Sequence, residues 1–165
     1  MPLTQFIPRE ERQQQSALIH AMAQAVYGTA EDAAFTEEFV PPGGRVPENK
    51  VTNFARFMSS APTCLWALFE DDTQQNVVGF VLIANVPHNN SIGFGIKKAY
   101  ARQGLMKKAW EEIKNHPCIN YPLNGFTSKR NNGAIAFMEA CGFEKNGETN
   151  FSGEDSWWFV MKADI

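Results

Sequence analysis

The stretch Phe94-Gly95-Ile96-Lys97-Lys98-Ala99-Tyr100-Ala101-Arg102-Gln103-Gly104-Leu105-Met106-Lys107-Lys108 holds the densest chemistry in the chain. An apolar, β-rich run passes through a short basic turn with one glycine and enters a segment of helical periodicity. A helix start exposes amides without internal partners, carries the positive end of the dipole, and attracts anions when Lys and Arg surround it. A diphosphate is a natural ligand for such a place, and Gly104 lets the backbone approach it with no Cβ in the way. The stretch is neither a P-loop, which requires G-x-x-x-x-G-K-[ST], nor a dinucleotide fingerprint, since Gly93-Phe94-Gly95 has no third glycine. Five of the 15 basic residues (Lys97, Lys98, Arg102, Lys107, Lys108) fall within these positions, and the plainer account of such a run is a solvated helix face.

Charge distribution favours the anion site. Residues 1–96 hold 5 Lys+Arg against 10 Asp+Glu, and residues 97–165 hold 10 against 8, within a total of −3 over 165 residues. A weakly acidic chain is a poor non-specific nucleic-acid binder, so nucleic acid is an unlikely partner. With 44% hydrophobic residues and 13 Phe the chain can bury a sizeable core, and its length suits one domain over residues 1–165. No apolar run approaches the ~18 residues of a membrane span, so no membrane association is expected. The N-terminal residues lack the layout of a signal peptide. Cys64, Cys118 and Cys141 are odd in number, far apart and free of any C-x-x-C pair, which predicts neither a disulfide framework nor a zinc site and points to a reducing cytoplasm. His20, His88 and His116 lie in separate segments, so no metal is expected.

Periodicity supplies the elements that must position this chemistry. Helical spacing covers Arg9–Tyr27 and residues 48–58, separated by an acidic and then Pro-Gly-rich stretch, 31–47, read as irregular. Strands are expected at 65–70, 77–86 and 91–96, joined by polar turns. A helix over 99–114, a strand over 123–128, a helix over 134–140 ended by Gly142, and strands near 144–151 and 156–162 follow. This order implies an α/β (α+β) fold, one sheet layer with helices on it.

These residues resemble the GNAT superfamily of acyl-CoA-dependent N-acyltransferases, whose strand-turn-helix signature is [Q/R]-x-x-G-x-[G/A], often after an aromatic residue. Tyr100 stands at the aromatic position, Gly104 at the central glycine and Leu105 at the apolar residue following it. Asn131 opening a helix that runs through Ala134-Ile135-Ala136-Phe137-Met138-Glu139-Ala140-Cys141 into Gly142-Phe143 matches a second family feature. The resemblance implies a mixed, twisted, largely antiparallel sheet with helices on both faces, and acetyl-CoA as co-substrate, bound where strand 91–96 splays from strand 123–128. It places the diphosphate over Ala101, Arg102, Gln103, Gly104, Leu105, Met106 and Lys107, and the pantetheine arm beside Phe94, Ile96, Asn131 and Phe137, with the Ile96 amide polarising the thioester carbonyl.

The chain departs from the family pattern at three places. Ala101 replaces the preferred Gln or Arg, Met106 the second small residue, and Met138 the Tyr that in many members protonates the departing thiolate. Met has no proton to donate, which leaves Ser128, Tyr100, Cys141 or water. The base that deprotonates the amine is sought among Glu70, Asp71, His88 and Glu139, with Glu70 first because it ends a strand of the same sheet. The resemblance implies acetyl transfer to a primary amine by direct attack. Glu31, Asp32, Glu37 and Glu38 would favour a cationic acceptor, and exposed aromatics near Trp157 permit a homodimer. Two alternatives remain: a GNAT-shaped CoA-binding module that has lost turnover, and an aminoacyl-tRNA-acetylating enzyme that uses Lys129, Arg130 and the 97–108 cluster as an RNA patch.

Overall fold

The structure, a computed structural model, describes residues 2–85 and 88–163. Seven strands form one sheet in the order β1-β2-β3-β4-β5-β7-β6. Their ranges are β1 Thr4–Phe6, β2 Cys64–Phe69, β3 Val77–Ala84, β4 Ser91–Ile96, β5 Leu123–Ser128, β6 Glu144–Phe151 and β7 Glu154–Met161. All neighbours are antiparallel except β4 and β5, which are parallel and share the single pair Ser91↔Asn124. The helices are α1 Ser16–Tyr27, α2 Ala30–Glu37, α3 Lys50–Ser60, α4 Leu105–Ile113 and α5 Asn132–Ala140. The expected mixed, largely antiparallel sheet with helices on both faces is thus observed.

Each face of the sheet has its own apolar core. Ile19, Met22 and Val26 of α1 and Met58 of α3 bury against Leu65, Ala67, Phe80 and Leu82. On the other face Met106, Ala109, Trp110 and Ile113 of α4, with Met138 of α5, bury against Trp66, Val81, Ile83, Ile92 and Leu123. The helical spacing of these residues and the alternation along the strands place these apolar side chains inward. Strand β2 is buried along its whole length because both cores use it.

Several expectations needed correction. The edge strand β1 was not foreseen; three residues are too few for periodicity, and its pairing with Trp66–Leu68 is a tertiary event. The acidic stretch from residue 31 is helical, not irregular. Thr29 caps α2 by accepting from the Asp32 amide at 3.1 Å, and Glu31 and Asp32 occupy the first turn, where carboxylates favour a helix. The first helix begins only at Ser16, after a 3₁₀ turn at Arg9–Glu11. The helix expected from 99 starts at Leu105, because Arg102 (φ 64°) and Gly104 (φ 75°) adopt left-handed backbone that no α-helix contains. Val86, the last residue of an expected strand, lies outside the described residues. Cys64 and Cys118 form a disulfide, their Cα atoms 6.1 Å apart, across 54 residues of sequence. The fold joins them by bringing the start of β2 against the loop after α4. The inference from unpaired cysteines to a reducing compartment therefore loses its premise. Among the described residues, no helix is long and apolar enough to cross a membrane.

Candidate active site

Strands β4 and β5 meet only at Ser91 and Asn124, where the Asn124 amide donates to the Asn90 carbonyl at 3.0 Å. Beyond that pair they diverge, as expected for 91–96 and 123–128. The hydrogen-bond phase of β4 follows from one contact. Lys97 N–H donates to the Val78 carbonyl at 2.7 Å, so Gly79↔Ile96 is a widely spaced pair. The amides of Ile96 and Phe94 consequently point away from β3 and into the splay. Their side chains pack toward α4 and α5, and the Phe94 and Phe137 rings lie 4.6 Å apart by centroid. On the opposite face, Gly93 and Gly95 leave space that Leu82 and Phe80 fill; a Cβ at Gly95 would lie 2.5 Å from the Phe80 ring.

The open end of the splay leads into the basic turn. Gly104 caps α4 in the left-handed conformation, and a Cβ built there would meet nothing within 4 Å. Lys108 N–H reaches the Gly104 carbonyl at 3.1 Å, so the helix's internal bonding starts there and the Leu105, Met106 and Lys107 amides form its unpaired first turn. Met106 does not crowd this cradle: its side chain is 9% exposed and packs in the α4 core, contributing only its amide to the turn. Arg102, Gln103, Lys107 and Lys108 are exposed, Ala101 and Leu105 half-buried. Open space beside Gly104, unpaired amides and exposed cations are what a diphosphate requires, so the residues present fit the CoA end expected of them.

The basic cluster divides between two partners. Lys97 Nζ donates to Asp32 Oδ2 at 2.8 Å, the Lys98 amide donates to Oδ1 at 3.0 Å, and the Lys98 ammonium lies 3.3 Å from Glu31. Burial pulls the Asp32 carboxyl upward, but Lys97, the Lys98 amide and the Thr29 hydroxyl together outweigh it and leave it below its ordinary value. Of these five cations, Arg102, Lys107 and Lys108 have no such partner among the described residues and are free to face an anion at the turn. Of the acidic groups expected at an acceptor mouth, Asp32 and Glu37 are buried and engaged within the fold, whereas Glu31 and Glu38 are exposed. Glu37 accepts from Lys50 at 2.5 Å, from the Val46 amide at 2.9 Å and from the Tyr27 hydroxyl at 3.2 Å. The segment after α2 crosses toward β5, where the Arg130 guanidinium lies 5.2 Å from the Phe39 ring centroid.

Other sequence candidates fall into separate groups. Glu70 sits just after β2 and accepts from Asn76 Nδ2 at 3.0 Å, and the same nitrogen donates to the Tyr100 hydroxyl at 3.3 Å. The neighbouring Glu70, followed by desolvation, pushes the Tyr100 phenol up, so a candidate base and a candidate acid are tied through Asn76 at the end of the sheet. Ser128 ends β5 with its hydroxyl donated to Glu154 at 2.5 Å, and Arg130 Nη2 donates to the same oxygen at 2.7 Å. These bonds, Ser128 first, hold the Glu154 carboxyl low. Asn131 caps α5, its side-chain oxygen accepting from the Ala134 amide at 3.1 Å. Met138 is 1% exposed, and a Cβ at Gly125 would collide with its terminal methyl. Cys141 is half-buried, and burial and then Glu111 push its thiol up to about 11, far from a reactive thiolate. Asp71 is bound to Thr73 in its own turn, His88 stacks on Phe126 at 4.9 Å, and Glu139 is exposed. Trp157, near which exposed aromatics would permit a homodimer, lies between Lys129 at 4.7 Å and Lys145 at 4.3 Å. Sequence reasoning missed Asn76 and Glu154, neither of which belongs to a motif.

A sheet opened between two parallel strands, with a cationic helix start of unpaired amides at its open end, is the arrangement of an acyltransferase fold. The family model described as "Acetyltransferase (GNAT) domain" matches residues 16–144, and the chain belongs to this family. Solved structures agree in fold. One is a GCN5-related N-acetyltransferase from Brucella melitensis, with TM-score 0.66 and 15% identity over 97% of this chain and 76% of that one. Another is a ribosomal-protein-S5-alanine acetyltransferase from Vibrio fischeri, with TM-score 0.62 and 15% identity over 98% and 92%. A third is yncA from Salmonella typhimurium with its cofactor acetyl-CoA, with TM-score 0.60 and 14% identity over 98% and 93%. No curated protein matches the sequence.

Proposed function

We propose that the protein transfers an acetyl group from acetyl-CoA to a primary amine of a small molecule or protein, by direct attack and without a covalent enzyme intermediate. The observation that carries this reading is the alignment of the Phe94 and Ile96 amides along a splay that opens onto the unpaired first-turn amides of α4. When bound, acetyl-CoA supplies an activated acyl thioester. The Leu105, Met106 and Lys107 amides, with Arg102, Lys107 and Lys108, would hold the diphosphate, and Gly104 admits it. The Phe94 and Ile96 N–H groups would polarise the thioester carbonyl and hold the arm. The Phe94–Phe137 pair excludes water from one side of the splay. Glu70, held in place by Asn76, is the proposed proton acceptor for the amine, acting by way of water.

Calorimetric titration with acetyl-CoA, followed by thiol release across a panel of amines, tests the proposal. Saturable binding together with thiol release supports it, and no binding at high micromolar acetyl-CoA refutes it. Binding without release from any amine would favour the CoA-binding module. That second reading has a specific support, since the hydroxyls of Ser128 and Tyr100 are engaged by Glu154 and Asn76, and Met138 lies in the core.

A further inference from the structure

The sheet consists of two ladders joined at one place. Strands β1 to β4 pair in succession, as do β5, β7 and β6, and Ser91↔Asn124 is the one backbone pair between the two sets. A ladder of several pairs fixes the angle between its strands, whereas one pair fixes a point about which they pivot. The width of the splay is therefore set by helix packing and by whatever ties the chain beside that pivot. The unit that turns with β5 includes α5, whose Phe137 ring lies 4.6 Å from that of Phe94.

Residues 114–122 connect α4 to β5 on the closed side of the pivot. Asn90 Nδ2 donates to the Asn120 and Pro122 carbonyls, the second at 2.6 Å, and Asn124 Nδ2 donates to the Asn89 carbonyl at 2.8 Å. These bonds lie at the pivot itself and do little to fix an angle. The Cys64–Cys118 bridge acts farther out. Cys64 pairs with Ile83 and Ile83 with Ile92, so Cys64 stands beside the pivot but two strands away, about 10 Å at the usual strand spacing. The bridge is thus a covalent tie between the first ladder and the chain entering the second, with a lever arm that the hydrogen bonds lack. Cys64 is 1% exposed, and Cys118 is the half-buried, more open member.

We propose that the Cys64–Cys118 bridge is a redox switch on acetyl-CoA binding; the inference rests on the acetyl-CoA-binding part of the reading above. The oxidised chain holds β5 and α5 at the angle that receives the pantetheine arm. Reduction frees residues 114–122 from β2, lets the second ladder turn about Ser91↔Asn124, and shifts Phe137 relative to the Phe94 and Ile96 amides. The reductant is a dithiol. Its thiolate forms an S–S bond to the Cys118 sulfur, and the Cys64–Cys118 bond breaks with its electron pair on Cys64, which takes up a proton. The second thiol of the reductant then displaces Cys118, which also takes up a proton. The reductant leaves as its own disulfide, having passed two electrons and two protons to the protein.

The test uses Cys141→Ser, which removes the remaining free thiol, and Cys118→Ser, which cannot form the bridge. Each is treated with oxidised glutathione or with dithiothreitol, desalted, and titrated with acetyl-CoA by calorimetry, with circular dichroism and a thiol count on the same samples. Oxidised Cys141→Ser should show no thiol and bind acetyl-CoA about tenfold more tightly than its reduced form, which should show two thiols and remain folded. Reoxidation should restore the affinity, and Cys118→Ser should match the reduced form after either treatment. Equal or tighter binding in the reduced form marks a plain staple and overturns the inference while leaving the acetyl-CoA reading intact. Thiols that persist after oxidation, or a reduced chain that no longer folds, overturn it in the same way. Oxidised protein that binds no acetyl-CoA overturns both.

Discussion

Replacing Asp32 by Asn should loosen the joint between α2 and the basic turn, and its size can be worked from the geometry. Asp32 has a side chain 7% exposed and holds Lys97 at 2.8 Å and the Lys98 amide at 3.0 Å. Breaking a fully buried ion pair costs about 3–5 kcal/mol. Lys97 is 35% exposed and its ammonium can regain water, and Asn retains a neutral acceptor for the Lys98 amide, so about 2 kcal/mol is expected here. In a domain of this length that corresponds to a fall in Tm of about 4–8 °C. Glu31→Gln is the internal comparison. Its pair with Lys98 has side chains 72% and 51% exposed, and its loss should cost less than about 0.5 kcal/mol. The Asp32 carboxyl is held below its ordinary value in the fold, so its contribution is fully present above the unfolded pKa of about 3.9 and disappears as pH falls through the lower folded value. Urea unfolding at pH 7 and along an acid series reads both effects: the gap between wild type and Asp32→Asn should be full near neutral pH and close as the pH falls through the lowered carboxylate range. Equal stabilities for the two variants at pH 7, or a gap that widens in acid, would refute the assignment of this pair as the anchor of the turn.

Three further outcomes follow from other parts of the molecule. Gly104→Ala places a side chain at φ 75° with no neighbour to strike, so unfolding should show only about 1 kcal/mol of backbone strain, while calorimetry should show acetyl-CoA binding weakened by about tenfold. Met138→Ala should cost about 2–4 kcal/mol in urea unfolding and Met138→Leu less than about 1.5 kcal/mol, with CoA affinity unchanged in the leucine variant; a selective loss of binding with leucine would contradict its place in the core. Reduction of Cys64–Cys118, which spans 54 residues, should lower stability by about 2–4 kcal/mol, and melting insensitive to reductant would show that the bridge contributes nothing.

Segments whose structure depends on near neighbours were legible directly. Strands at 91–96 and 123–128 have the observed bounds, and Gly104 and Asn131 stand at the helix starts where their side-chain chemistry suits them. The acidic α2 was missed although its capping signal, Thr29 followed three residues later by Asp32, was present in the chain; the Pro-Gly run beyond it dominated the reading of the segment. The helix start was placed too early because Ala99 and Tyr100 suit helical spacing as well as a 3₁₀ turn, and only the two left-handed residues between them and Leu105 distinguish the cases.

The charge run at 97–108 shows where sequence alone reached its end. By itself the sequence determined that a strand meets a glycine-bearing, cationic helix start, since that arrangement arises from neighbours within a dozen residues and from backbone groups every chain carries. Tertiary structure alone decided which cations remain for a ligand: Asp32, 65 residues before Lys97, takes the Lys97 ammonium toward α2, and Glu31 pairs with that of Lys98. It likewise turned Met106 into the core, joined Cys64 to Cys118, and engaged the Ser128 and Tyr100 hydroxyls. Periodicity records which face of an element is buried; it carries no record of the distant side chain that meets it, because that depends on strand order and on how the layers pack.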